Sequence, residues 1–292
     1  MSGKAIVFGA GGAVGEAAAH ALIAAGWRVV ASMRRSRHDA AERLSQGGAD
    51  VRRDDLKSEA GWTAAAQGCD AIVFTTHLRL ANAALARMTI HPGQRVVVFS
   101  SNNIAIQPEA RLYVELAQAE RDVRARHPNA AIIRPTLIYG DPRLPTLARL
   151  MRIARRSPFL PMPGSGRALL QPVFHEDLGR ATARLAGATT TGIYAIGGPD
   201  IITMRGLYRA VIRASAARAR ILAIPTWLLR GVGPVLGAFQ LYSIAQTSRI
   251  DRDRLVVPQT PLPPELVAKV GLRDGLSRLA AALHAETARR RQ

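Results

Sequence analysis

The 292-residue chain is 48% hydrophobic and 21% charged, a composition that excludes a disordered polymer. Its one cysteine, Cys69, excludes an intramolecular disulfide and a cysteine-rich zinc site, and the seven histidines show no metal-ligand spacing. Forty basic against 21 acidic residues give a net charge of +19; only Lys4, Lys57 and Lys269 are lysines, so arginine supplies 37.

Strand-like and helix-like runs alternate from the start. Ala5–Phe8 is expected as a strand, Val14–Ala25 as a helix closed by Gly26, and Arg28–Met33 as a second strand. A helix over Asp39–Gln46 ends at Gly47-Gly48, a short strand follows near Asp50–Arg52, and Ser58 is expected to cap a helix reaching Ala66. Then come a strand at Ala71–Thr75, a helix at Arg79–Met88, a turn at Pro92-Gly93 and a strand at Arg95–Phe99. One long helix is expected over Pro108–His127, before a strand at Ala130–Arg134. The strands are continuous apolar runs rather than alternating ones, which implies a parallel sheet covered by helices on both faces. Beyond Tyr139 five prolines mark loops around a helix at Leu147–Arg156; a helix at His175–Ala186, a strand at Ile193–Ile196 and a helix at Thr203–Ala216 follow.

The first strand runs into Gly9-Ala10-Gly11-Gly12-Ala13-Val14-Gly15 and then a helix. In that context glycine lets the backbone turn tightly and approach a pyrophosphate, whose charge the helix N-terminus stabilises. The Gly-x-x-Gly-x-x-Gly spacing resembles the extended and atypical branches of the short-chain dehydrogenase/reductase superfamily, the NAD-dependent epimerase/dehydratase-like proteins. Further segments resemble the family in order. Asp54-Asp55-Leu56 looks like its Gly-Asp-Leu, whose Asp contacts adenine, and Thr75-Thr76 like the cofactor-facing end of its fourth strand. Ser100-Ser101-Asn102 stands where the family places a catalytic Ser or Thr, with Ser101 the candidate. Arg134-Pro135-Thr136 with Tyr139-Gly140 resembles the segment beside the nicotinamide, and Gln171–Asp177 the one that joins the substrate lobe to the sheet. The resemblance implies a doubly wound Rossmann-type NAD(P)-binding domain over residues 1–136. Residues 137–292 would form mainly a smaller substrate lobe, with some segments returning to the sheet and the dinucleotide in the cleft between.

Strand two ends Ser32-Met33-Arg34-Arg35 with no carboxylate before Asp39. An acid there would bind ribose hydroxyls and repel a 2′-phosphate, whereas arginine clamps that phosphate, so NADP is expected over NAD. The cofactor set is then Gly9, Ala10, Gly12, Ala13, Val14, Gly15, Arg34, Arg35, Asp55, Leu56, Thr75, Thr76 and Pro135.

The family pattern fails at its catalytic pair, Tyr-x-x-x-Lys. Tyr113 is followed four residues on by Ala117; aligning on Glu120 instead puts Leu112 and Leu116 at the two positions. In the family the lysine holds the nicotinamide ribose and assists the tyrosine. An unassisted phenol ionises only near pH ~10, so it suits giving a proton better than taking one. The expected activity is therefore reduction of a carbonyl or enone by NADPH, with Tyr113 and Ser101 as catalytic candidates. A non-catalytic NADP(H) sensor or assembly subunit is the alternative, and an NAD-dependent sugar-nucleotide epimerase/dehydratase a further one.

Residues 1–146 hold 18 basic and 13 acidic groups, a net +5; residues 147–292 hold 22 and 8, a net +14. Arginine-rich composition accounts for this by default; the sharper expectation is an anionic small-molecule substrate, with a membrane surface or another protein met through residues 221–245. Nucleic acid ranks last, since aromatics are only 5%. A strand beginning at Lys4 leaves no room for a signal peptide, so a cytoplasmic location is expected.

Overall fold

Short runs of Val, Ile, Ala and Phe have no polar side, so each must be covered on both. The computed structural model, which describes residues 3–34, 36–53, 59–225, 227–228 and 252–289, builds them into a parallel sheet. In chain order come β1 (Lys4–Phe8), α1 (Ala13–Ala24), β2 (Arg28–Ser32), α2 (His38–Gln46), β3 (Asp50–Arg52) and α3 (Glu59–Ala66). Next are β4 (Ala71–Phe74), α4 (Leu78–Leu85), β5 (Arg95–Phe99), α5 (Asn103–Ile106), α6 (Arg111–Arg126) and β6 (Ala131–Pro135). The later elements are β7 (Ile138–Tyr139), α7 (Pro145–Arg156), β8 (Phe159–Pro163), β9 (Leu169–Leu170), β10 (Val173–Phe174), α8 (His175–Gly187) and β11 (Gly192–Ile196). The chain closes with β12 (Ile202–Thr203), α9 (Met204–Ala214), β13 (Arg220–Ile224), a 3-10 turn at Pro264–Leu266 and α10 (Leu272–Arg289).

Two units result. The first comprises Met1–Thr136, His175–Gly197 and Val256–Lys269; the second comprises Leu137–Phe174, Gly198–Leu255 and Val270–Gln292. In the first, seven strands pair in the order β11-β6-β5-β4-β1-β2-β3, every pair parallel. The fold is thus doubly wound and Rossmann-like: the chain moves outward from β1 to β3, then returns to lay β4 on the other side of β1. The C-terminal ends of β1 and β4 form the switch point where such sheets open a crevice for ligands.

Alternation along the strands sends Ile6, Phe8, Ile72, Phe74, Val98 and Ile132 to one side, against Trp62, Leu78, Leu85, Leu116 and Val123 of α3, α4 and α6. Phe8 and Phe74, neighbours in the register, stack with centroids 4.8 Å apart. On the other side α1 and α8 approach so closely that a Cβ on Gly179 would come within 2.6 Å of the Ala17 backbone.

Gly26 closes α1 as expected: its φ is +84°, and the Trp27 N–H donates to the Leu22 carbonyl at 3.0 Å. The long helix expected over Pro108–His127 is α6, three residues shorter at its start, and a short helix not read from the sequence, α5, precedes it across a break. Gln107 precedes Pro108, whose ring disfavours the helical region for it, and sits at φ −142°, ψ 63°. Ala110 is extended, so α6 starts only at Arg111.

The second unit has its own core. Leu147 and Met151 of α7, Leu207 and Val211 of α9, and Leu276, Leu279 and Leu283 of α10 enclose Tyr139, Leu160 and Met162. Among its described residues the strands form two-stranded pairs, β7 with β10, β9 with β12 and β8 with β13. Among the described residues no helix is long and apolar enough to cross a membrane.

Candidate functional site

The turn after β1 is built by removing side chains. Gly9 has φ +85°, and a Cβ there would lie 2.8 Å from Thr76 Cγ2 and 2.9 Å from Thr75 Oγ1. A Cβ on Gly15 would run into the Gly9 carbonyl oxygen and come within 2.8 Å of Ala10 Cα. The Gly9 and Ala10 N–H groups both donate to the Ser32 carbonyl, at 3.0 and 3.1 Å, which pins the turn to the end of β2.

Gly12 is the N-cap of α1 and supplies no capping side chain. The first-turn amides, those of Ala13, Val14 and Gly15, therefore face an anion-sized need that the helix itself does not fill. The one acid in that turn, Glu16, is buried and bound bidentately by Arg43 at 2.6 and 3.0 Å, which offsets a charge that would repel a phosphate.

The ends of β4 and β5 add hydroxyls. Thr75 Oγ1 donates to the Phe8 carbonyl at 3.1 Å and so braces β4 against β1. Thr76 Oγ1 and Ser100 Oγ are buried without a hydrogen-bond partner among the described residues. Such atoms cost free energy unless something satisfies them. Ser101, the sequence candidate, uses its hydroxyl to accept the Asn103 N–H at 3.3 Å, at the start of α5. Pro135 is buried, and its carbonyl accepts the Asn102 N–H at 3.2 Å.

Beyond β2, Arg34 is exposed, while Arg35, Asp55 and Leu56 lie outside the described residues. An arginine the sequence reading passed over, Arg37, lies on the turn itself: its Cβ and Cγ would be 3.0 and 2.9 Å from a Cβ on Gly11. Only the absence of a side chain at Gly11 admits it. Neither Arg37 nor Ser100 had a local signal, because one sits outside the expected strand end and the other beside a better-placed homologue of the family serine.

Tyr113 is 5% exposed and belongs to the apolar cluster under β4 and β5 with Ile104, Leu116 and Val98. One position earlier, Leu112 is 45% exposed. The register of α6 is held by Glu120, 3% exposed, which takes a bidentate pair from Arg134 at 2.9 and 2.5 Å. His77 is the N-cap of α4, its Nδ1 accepting the Arg79 N–H at 3.4 Å. Asp177 accepts the Lys269 N–H at 2.9 Å and pairs with Arg180, tying α8 to the 3-10 turn segment.

A groove of about 920 Å³ lies elsewhere in the first unit, between Ala24, Trp27, Arg184 and Val267. Trp27 leads into β2, so this groove opens at the N-terminal edge of the strands, away from the glycine turn.

A family model described as NAD(P)H-binding matches residues 9–155. Among solved structures, the dTDP-glucose 4,6-dehydratase of Bacillus anthracis in complex with NAD superposes with TM-score 0.74 at 11% identity, covering 98% of each chain. A nucleoside-diphosphate-sugar epimerase from Pseudomonas aeruginosa gives 0.74 at 16%, over 98% of this chain and 99% of that one. The UDP-glucuronic acid 4-epimerase of Bacillus cereus, in complex with UDP-glucuronic acid and NAD, gives 0.72 at 15%, over 97% and 99%. At such identities the likeness is one of fold. No curated protein sequence matches the chain.

Proposed function

The chain belongs to the NAD(P)H-binding family and has the extended short-chain dehydrogenase/reductase fold, and from that premise we propose that it holds NADP(H) in preference to NAD(H) and reduces a carbonyl or enone of a small, anionic substrate. The observation that carries the reading is the cradle emptied of side chains at Gly9, Gly11, Gly12 and Gly15, over an uncapped helix end. In this reading the amides of Ala10, Ala13, Val14 and Gly15 bind the pyrophosphate, and Arg34, Arg35 and Arg37 hold the 2′-phosphate. Asp55 and Leu56 contact the adenine, Thr75 braces the turn, Thr76 and Ser100 offer their buried hydroxyls, and Pro135 shapes the nicotinamide end. Bound NADPH would supply the hydride; Tyr113, with Ser101 orienting the substrate oxygen, would give the proton. The second unit, rich in arginine, would select the anionic substrate.

A second reading, a non-catalytic NADP(H) sensor or assembly subunit, is favoured by the packing of Tyr113 in the core and by leucines where the family pair would stand. The solved neighbours in complex with NAD and a sugar nucleotide support a small phosphorylated ligand of the sugar-nucleotide class. Epimerisation needs a base as well as an acid, and no lysine lies between Lys57 and Lys269 to make one of a phenol.

Calorimetric titration of NADPH and NADH on wild type, Arg34→Ala and Arg37→Ala tests the cofactor. Each variant is expected to lose ~1.5–3 kcal/mol toward NADPH and almost nothing toward NADH, the scale of a charge-assisted hydrogen bond. Equal affinity of the wild type for both cofactors would sink the NADP assignment. A carbonyl panel followed by NADPH absorbance separates the two readings: tight binding with no turnover favours the sensor.

A further inference from the structure

The second unit carries an apolar surface edged with arginine that the dinucleotide reading leaves unused. Residues 142–175 and 201–250 together contain 13 arginines and no Asp, Glu or Lys. From these stretches come β8 and β13, paired in parallel with Phe159 beside Arg220 and Pro161 beside Leu222. Alternation puts Phe159, Pro161, Arg220, Leu222 and Ile224 on one face of the ribbon, while Leu160 and Met162 are fully buried on the other.

That outer face is apolar and open. Phe159 and Leu222 are each 51% exposed, and just past the end of β13 stand Trp227 at 72% and Leu228 at 40%. Single exposed hydrophobics are ordinary. Here, however, four of the nine large exposed hydrophobics among the described residues lie on this strand pair or just beyond its end. At the opposite end of the ribbon lie Arg156, the last residue of α7, Arg213 near the end of α9, and Arg218 and Arg220 entering β13. All four are exposed, and none forms an ion pair among the described residues. The Arg220 N–H donates to the Pro158 carbonyl at 2.8 Å, which fixes this arginine-bearing end to the start of β8.

We propose that this face docks on an anionic bilayer surface. Guanidinium groups pair bidentately with lipid phosphates, and aromatic and aliphatic side chains at headgroup depth add apolar burial. A nucleic acid would satisfy the arginines and stack on Phe159 and Trp227, but the rest of the face, Pro161, Leu222, Ile224 and Leu228, is aliphatic and offers bases no stacking surface. The net +14 of residues 147–292 provides the long-range attraction that brings the face to the membrane.

The test uses the full chain with phosphatidylcholine vesicles, with and without phosphatidylglycerol. Co-sedimentation is expected only with phosphatidylglycerol, and release as salt approaches ~1 M, where the Debye length is about 3 Å. Arg156→Gln, Arg218→Gln and Arg220→Gln together should weaken partitioning about a hundredfold, roughly fivefold for each charge. Phe159→Ser with Leu222→Ser should weaken it at least tenfold while NADPH affinity and thermal midpoint hold. Tryptophan emission should shift to the blue on vesicles, and Trp227→Phe should remove the shift. No binding, equal binding to neutral vesicles, or capture of a single-stranded oligonucleotide in place of vesicles would each overturn the proposal.

Discussion

The turn after β1 and the start of α6 serve the same sheet and treat side chains in opposite ways. At the turn, Gly9, Gly11 and Gly15 leave space that Thr75, Thr76, Arg37 and the Gly9 carbonyl approach to within contact. At α6 the space is filled: Tyr113 and Leu116 are each 5% exposed in an apolar cluster, and Ser101 on the preceding loop spends its hydroxyl on the Asn103 N–H. A pyrophosphate would ask only for room and backbone N–H groups, which a glycine turn can supply. Proton transfer asks for particular polar side chains, and the phenol of α6, Tyr113, stands in an apolar cluster.

The largest expected effect concerns what holds α6 in register. Glu120→Ala leaves the Arg134 guanidinium buried and unpaired, which should cost ~3–5 kcal/mol in urea denaturation. Replacing both partners by leucine should recover most of that loss. If Glu120→Ala alone is nearly neutral, the pair does not anchor the helix and the positions of Leu112 and Leu116 lose their meaning.

At the turn, Gly15→Ala drives a methyl group into the Gly9 carbonyl. NADPH affinity should fall at least a hundredfold, ~2.7 kcal/mol, with a smaller loss of stability. Retained affinity in that variant would show that the cradle is not where the pyrophosphate lies.

Tyr113→Phe sharpens the comparison from the other side. Carbonyl reduction should drop about a hundredfold, the scale of general acid catalysis, while NADPH affinity stays level. Unchanged turnover would assign the phenol to packing alone.

The smallest effect serves as a baseline. His127 caps the C-terminal end of α6, and burial pushes its pKa below the ordinary value, a hydrogen bond with the Leu85 backbone opposing the shift. The folded chain refuses a proton that the unfolded chain accepts, so this contribution is present above pH ~6.5 and is lost as the pH falls through that value. His127→Gln should flatten a shallow decline in thermal midpoint on the acid side, and that decline must be subtracted before any pH profile of turnover is read. The imidazole is partly exposed, so a steep decline would point to another group.

Much of the first unit was legible in order. The apolar runs at Lys4–Phe8, Arg28–Ser32, Ala71–Phe74 and Arg95–Phe99 became parallel strands because a run with no polar side has nowhere to go but between two helical layers. The glycines could be read for the same reason: a residue without a Cβ is a local fact, and the turn it permits is local too. The short α5 was not legible: Asn103–Ile106 is a single turn, ended at Gln107-Pro108 and too brief to show a helical period.

What tertiary structure alone decided is which polar atoms remain for a ligand. Ser100 and Ser101 are neighbours of the same type, and only the fold leaves the Ser100 hydroxyl buried without a partner among the described residues while that of Ser101 accepts the Asn103 N–H. Likewise Arg34 and Arg37 are chemically identical, yet only Arg37 lies across Gly11, because the chain after β2 turns back over the glycine loop before α2 begins. Composition and spacing determine which groups a chain can offer. The partner of Ser101 is two residues away, but whether Ser100 finds one, and which arginine reaches Gly11, depends on elements far apart in sequence, so composition and spacing alone could not tell one serine, or one arginine, from the other.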